Sequence, residues 1–146
     1  MYKQILIATD GSKPSQAAAR SGLQLAKSLS AEVLVVNISR PYQAIITLGG
    51  VDVMPTGDDY DRICEKNAAG ILGAVKDEAA NLGVPCRTKH IVDEHVWKAI
   101  IEAADSGKCD LIHMGSHGRS GLTALILSSQ TQKVLTHSKI PVLVYR

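Results

Sequence analysis

Five short strand-like runs, four of them apolar, alternate with longer stretches of helical periodicity, and this alternation constrains the fold more than any other feature of the chain. Residues 4–8 (QILIA) lead into a pattern in which Ala18, Gly22, Leu25, Ala26 and Leu29 recur at helical spacing behind Pro14. EVLVVNI (32–38) is apolar on both faces, as parallel strands covered by helices on two sides are. Ile63, Asn67, Ile71, Val75, Ala79 and Leu82 mark a second helix from Asp59, closed by Gly83, and RTKHIV (87–92) reads as a third strand. Val96, Ile100, Ile101 and Ala104 predict a third helix ending near Gly107. DLIHM (110–114), a helix from Thr123 to His137 and PVLVY (141–145) complete the series. The order predicts an α/β fold: a five-stranded parallel doubly wound sheet, flavodoxin- or Rossmann-like, flanked by four helices in one domain over 1–146. Ligands of such sheets sit beyond the carboxyl ends of the strands, where the strand order reverses. The segments after strands one, two and four are therefore where a site is expected. After strand two, residues 39 to about 58 carry Pro41, Gly49, Gly50, Pro55 and Gly57 with no period, and a loop of that length is usually functional or mobile.

Composition removes several functions. With 16 basic and 14 acidic residues the formal charge is +2, which gives no large field for nucleic acid or an anionic membrane. One Trp, four Tyr and no Phe leave no platform for stacking bases of single-stranded nucleic acid. No apolar run approaches the ~18 residues of a membrane-spanning helix, and the opening MYKQILIATDG reads as a strand rather than a leader. Cys64, Cys86 and Cys109 are widely spaced with no C-x-x-C, as reduced structural thiols in a cytoplasmic protein would be.

Chemistry concentrates in MGSHGRSGLTALILSSQTQKVL (114–135). Gly115, Gly118 and Gly121 follow a strand and precede a helix. Glycine lets backbone amides approach an anion closely, and a helix start adds unpaired N–H groups and a favourable dipole. The segment therefore predicts an anion site, phosphate being the usual occupant. It is not a Walker loop, because no lysine follows its glycines. The dinucleotide fingerprint G-x-G-x-x-G is absent, and strand two ends near Asn37 without the ribose-binding acid. Ser120 is not in the G-x-S-x-G of a nucleophile elbow.

Gly115-x2-Gly118-x9-Ser128-Ser129 resembles the motif G-x2-G-x9-G-(S/T) of universal stress proteins. The resemblance spans the chain: the ILIATDGS opening, the long loop after strand two, MGSHGRSGL and the closing KIPVLVYR. It implies a five-stranded Rossmann-like fold, usually a homodimer, with ATP or AMP bound between strands one and four; the apolar edge PVLVY makes the C-terminal strand the expected pairing edge. Some family members lack the motif and bind no nucleotide. By the resemblance, Ala8, Thr9 and Asp10 line the adenosine, with Asp10 near ribose or a phosphate-bound Mg. The backbone of Ile38 reads the adenine edge and Met114 packs under the adenosine. Gly115, Ser116, His117, Gly118 and Arg119 form the loop around ribose and phosphates. Ser129 donates to phosphate, flanked by Gln130 and Thr131. The departure is Ser128 in place of glycine. Were a positive φ needed there, serine would be strained by about 1 kcal/mol or more; otherwise it serves, and its hydroxyl can donate.

Other readings are weaker. His113-x3-His117 has a zinc-compatible spacing, but it runs from a strand into a loop rather than along one helix. Asp10 also suits the capping of the first helix. The function predicted is that of a dimeric nucleotide-binding stress sensor or regulator; the alternatives are a dimeric scaffold without nucleotide and a slow ATPase. A phospho-accepting receiver would need an acidic pair after strand one, where Asp10 stands alone, and a lysine after strand five.

Overall fold

The computed structural model of the chain describes residues 1–42, 56–117 and 127–146. Its strands are β1 (Gln4–Ala8), β2 (Glu32–Ser39), β3 (Cys86–Val92), β4 (Leu111–Gly115) and β5 (Val142–Tyr145). The helices among the described residues are α1 (Lys13–Leu29), α2 (Gly57–Leu82), α3 (Val96–Ser106) and α4 (Ser129–His137). All pairings are parallel, and the sheet order is β3-β2-β1-β4-β5. The chain builds outward from β1 to β3, then returns across the sheet to β4 and continues to β5. With one hand of crossover, that reversal moves the later helices to the opposite face. The β1–β4 pair, in register at Leu6↔Ile112 and Ala8↔Met114, is thus the point where the strand order reverses.

Two apolar layers follow from the strand alternation. Ile5, Ile7, Val33 and Val35 pack with Leu23 and Ala26 of α1 and Leu72, Val75 and Ala79 of α2. Leu6, Leu34, Val36 and Ile112 pack with Ile100, Ala103 and Ala104 of α3 and Val134 of α4. Strands buried on both faces need this double coverage. Cys109 lies in the second layer, where burial pushes its thiol up to about 11. No two of Cys64, Cys86 and Cys109 are bonded.

Several local expectations are corrected. The cap of α1 is Ser12, whose hydroxyl accepts the Ser15 N–H. Asp10 acts two residues earlier, its carboxylate accepting the Ser12 N–H at 2.9 Å. The inward face of α2 runs through Tyr60, Ala68, Leu72, Val75 and Ala79. Ile63 and Asn67 are exposed. The last helix begins at Ser129, not Thr123: Leu127 and Ser128 precede it, and 123–126 lie outside the described residues. So do 43–55, most of the long loop, and Gly118, Arg119 and Gly121 of the glycine segment.

Gly22 marks a close approach of α1 to the sheet. A Cβ there would stand 2.7 Å from Ile7 Cδ1 and 3.2 Å from His113 Nδ1. His113 is fully buried beneath α1, and neither ring nitrogen has a hydrogen-bond partner. Its ring stacks on Tyr145 at 6.5 Å. Burial alone pulls its pKa down to about 4, so the imidazole is neutral and serves as packing, not as a ligand.

Candidate functional site

The carboxyl ends of β1, β2 and β4 and the starts of α3 and α4 enclose a cavity of about 400 Å³. Parallel strands point their last residues to one edge, so the alternating apolar pattern that builds the core also paves the cavity floor. Ala8, Val36, Ile38 and Met114 end their strands there, and Val96 and Ile100 close one side from α3. The opposite side is polar: Ser15, Gly115, His117 and residues 128–131. Asp10 and Arg40 stand on its rim. A slot that is apolar at one end and rich in donors at the other suits a ligand with a flat apolar part and an anionic part.

The β1 turn is held by a compact hydrogen-bond set. The Thr9 carbonyl accepts from Asn37 Nδ2 at 2.9 Å, and its N–H donates to the Val36 carbonyl at 3.0 Å. The Ser15 hydroxyl donates to Thr9 Oγ1 at 2.7 Å and accepts the Asp10 N–H at 3.0 Å. Gly11 completes the turn at φ +80, a backbone angle that a side chain would strain. Asn37, without charge, thus braces the strand end where a dinucleotide fold would place its ribose acid.

The start of α4 is organised around Ser128. Its φ is −58 and its ψ 150, ordinary extended backbone that serine adopts without strain. The hydroxyl accepts the Thr131 N–H at 3.1 Å, which makes Ser128 the cap of the helix. Thr131 Oγ1 donates to the Gly115 carbonyl at 3.0 Å. With that proton committed, Ser128 must be the donor in the 2.7 Å bond between the two hydroxyls. Its hydroxyl is therefore spent on the cap, and donation to a ligand falls to Ser129 and to the helix amides. The N–H groups of Ser129 and Gln130 have no partner within the helix, and the first turn carries no acidic residue.

Of the predicted site residues, Ala8, Thr9, Asp10, Ile38, Met114, Gly115, His117, Ser128, Ser129, Gln130 and Thr131 line this one cavity. Ser116 is buried behind it, bonding His117 Nδ1 at 2.7 Å and accepting the Ser128 N–H at 2.8 Å, so it positions the wall. Gln130 faces the cavity while its Oε1 accepts the Trp97 N–H at 3.0 Å, tying α4 to α3. Gly118 and Arg119 lie outside the described residues. The residues missed by sequence reasoning are Ser15, Val36, Arg40, Val96 and Ile100. Val36 was reachable by counting back two from Ile38, and Ile100 by counting four on from Val96. Nothing local distinguished Arg40. Among the described residues, no group of three or more His, Cys, Asp or Glu side chains could hold a metal, and no helix is long and apolar enough to cross a membrane.

Comparison with known proteins agrees with this architecture. The Universal stress protein family matches residues 1–146. The chain is 32% identical over 151 residues to the universal stress protein YxiE of Bacillus subtilis (strain 168), covering the whole of both proteins. The solved structure of MJ0577 of Methanocaldococcus jannaschii matches with a TM-score of 0.79 and 25% identity, over 99% of this chain and 95% of that one. A universal stress protein solved in complex with cAMP matches with a TM-score of 0.69 and 25% identity, over 99% and 97%.

Proposed function

Because the chain belongs to the universal stress protein family, we propose that it binds an adenine nucleotide, AMP or ATP, in the cavity between β1 and β4 and acts in the cytoplasm as a dimeric sensor or regulator of the stress response. The observation that carries this reading is the polarity of one cavity: an apolar slot between β2 and α3 faces the amides and hydroxyls that open α4. The adenine lies against Val36, Ile38, Val96, Ile100 and Met114, with the Ile38 backbone at its edge. The phosphates meet Ser129, the first amides of α4 and His117, where the helix dipole favours negative charge. Asp10 takes the ribose hydroxyls or a Mg ion carried by the phosphates. The related protein solved with cAMP supports an adenine nucleotide as the ligand class.

The copies pair through β5. The two sheet edges differ in kind: β3 presents exposed Arg87 and Lys89, whereas β5 presents Leu143 and Tyr145, 37% and 38% exposed. Charge on an edge discourages pairing, and exposed apolar side chains on an edge invite it.

Titration calorimetry with AMP and with ATP tests the ligand. The wild type binds at least one of them, and Ser129→Asp, which puts a carboxylate against the phosphates, weakens binding at least tenfold. Failure of the wild type to bind either nucleotide overturns the reading and leaves a dimeric scaffold.

A further inference from the structure

A second cavity, of about 280 Å³, adjoins the first at the carboxyl end of β2, on the α2 side. Its own walls are Asn37, Ser39, Tyr60, Cys64, Asn67 and Ile71. Both cavities are lined by Asp10, Ile38, Arg40 and Val96, and neither Gly115, His117 nor the start of α4 takes part in the second. The shared residues are those at the base and ribose end. A ligand that fills both lobes therefore leaves the first from its base and not from its phosphates. This geometry disfavours a second nucleoside strung from the terminal phosphate and favours a group carried on the base.

The chemistry of the second lobe narrows that group further. Its polar side chains mostly spend their hydrogen bonds within the protein. Asn37 Nδ2 donates to the Thr9 carbonyl at 2.9 Å, and Ser39 Oγ bonds His90 Nε2 at 2.8 Å. The Tyr60 hydroxyl donates to the Arg40 carbonyl at 2.6 Å; burial, with Cys64 beside it, pushes this phenol up to about 12 and keeps it a donor. Asp10 and Arg40 stand where the two lobes join and the exposed Asn67 stands at the outer wall; between them the surface offered to a ligand is the hydrocarbon of Ile38, Ile71 and Val96. Apolar surface seated there is removed from water, while the helix start in the first lobe keeps the charge at the far end.

We propose that the site takes adenine nucleotides whose exocyclic amine carries an apolar group of branched-alkyl or benzyl size, seated in the lobe between β2 and α2. The inference rests on the nucleotide reading above. A secondary amine keeps one N–H for the backbone at Ile38, so the substituent need not displace the contact that recognises the base.

Calorimetry with AMP and with AMP benzylated on its exocyclic amine decides the matter in the wild type, in Asn67→Trp and in Cys64→Met, the latter two filling the second lobe. The benzylated nucleotide is expected to bind the wild type at least tenfold more tightly than AMP. In the filled variants, checked for folding by circular dichroism, that ratio falls to one or below. Binding of AMP with equal or weaker binding of the benzylated form overturns this proposal alone and leaves the nucleotide reading standing. An advantage that persists in both filled variants also overturns it, since the group would then lie elsewhere. If neither ligand binds, this proposal falls, and the nucleotide reading falls with it when ATP fails to bind as well.

Discussion

Serine at 128 is a cap, and this settles what its substitution should do. Glycine and alanine both keep the backbone angle within reach but lose the oxygen that accepts the Thr131 N–H. Losing a serine cap to alanine costs about 1 kcal/mol, and to glycine a few tenths. Thermal denaturation should therefore rank the wild type above Ser128→Gly and Ser128→Ala lowest, with AMP affinity within about tenfold in all three. His113 makes a second prediction at the same scale. Its folded pKa is about 4 against an ordinary 6.5, so the folded state binds the proton less well than the unfolded chain. The stability held by the neutral ring is complete above pH 6.5 and is lost as the pH falls towards 4, by about 3 kcal/mol in all. Denaturant unfolding of the wild type and His113→Leu from pH 7 to pH 4 checks this. The wild type should lose stability faster with acid, and parallel curves would refute a titrating buried ring.

Elements were legible where burial and periodicity agree, and illegible where a hydrogen bond decides. Ile5, Leu6 and Ile7 are all fully buried, so a run apolar on both faces could only be an interior parallel strand. The start of α4 was not readable, because LTALIL continues an apolar helical pattern while the cap is set by Ser128 reaching Thr131. On α2 the apolar spacing marked the helix without fixing its inward face, which takes Ala68 and leaves Ile63 exposed. In the site, the ILIATDGS opening marked the strand-one turn, and the glycine motif marked residues 128–131 of the cavity wall without showing where the helix begins. Arg40 escaped, since one cation after a strand looks like any solvated residue until β2 aims it at a cavity. At this scale β5 carries its own prediction. Val142 packs towards the second core, whereas Leu143 is exposed beside the open edge. Leu143→Lys places like charges near the two-fold axis of a β5–β5 pairing without touching the core. Sedimentation should give a dimer for the wild type and a monomer for the variant; a wild-type monomer at micromolar concentration would refute the pairing.

At the scale of the whole molecule, the two apolar layers lie on opposite faces of the sheet, and the cavity sits where β1, β2, β4, α3 and α4 converge. A ligand there touches elements from both halves of the chain at once, and all of these contacts vanish on unfolding. Binding should then stabilise the fold as one unit and not merely quiet one loop. For a ligand at a hundred times its Kd, linkage gives about 2.7 kcal/mol. For a domain of this size each kcal/mol raises the Tm by roughly 2–4 °C, so AMP or ATP should raise it by about 5–10 °C. At the same concentration a tenfold weaker Ser129→Asp should gain no more than about 1.4 kcal/mol, a rise of about 3–6 °C or less, because its added carboxylate faces the phosphates at the helix start. Scanning fluorimetry or calorimetry across a ligand series makes the measurement, with protein concentration held fixed because dimerisation itself shifts Tm. A wild-type Tm indifferent to both nucleotides, or an equal rise in Ser129→Asp, would mean that the cavity between β1 and β4 is not where the nucleotide acts.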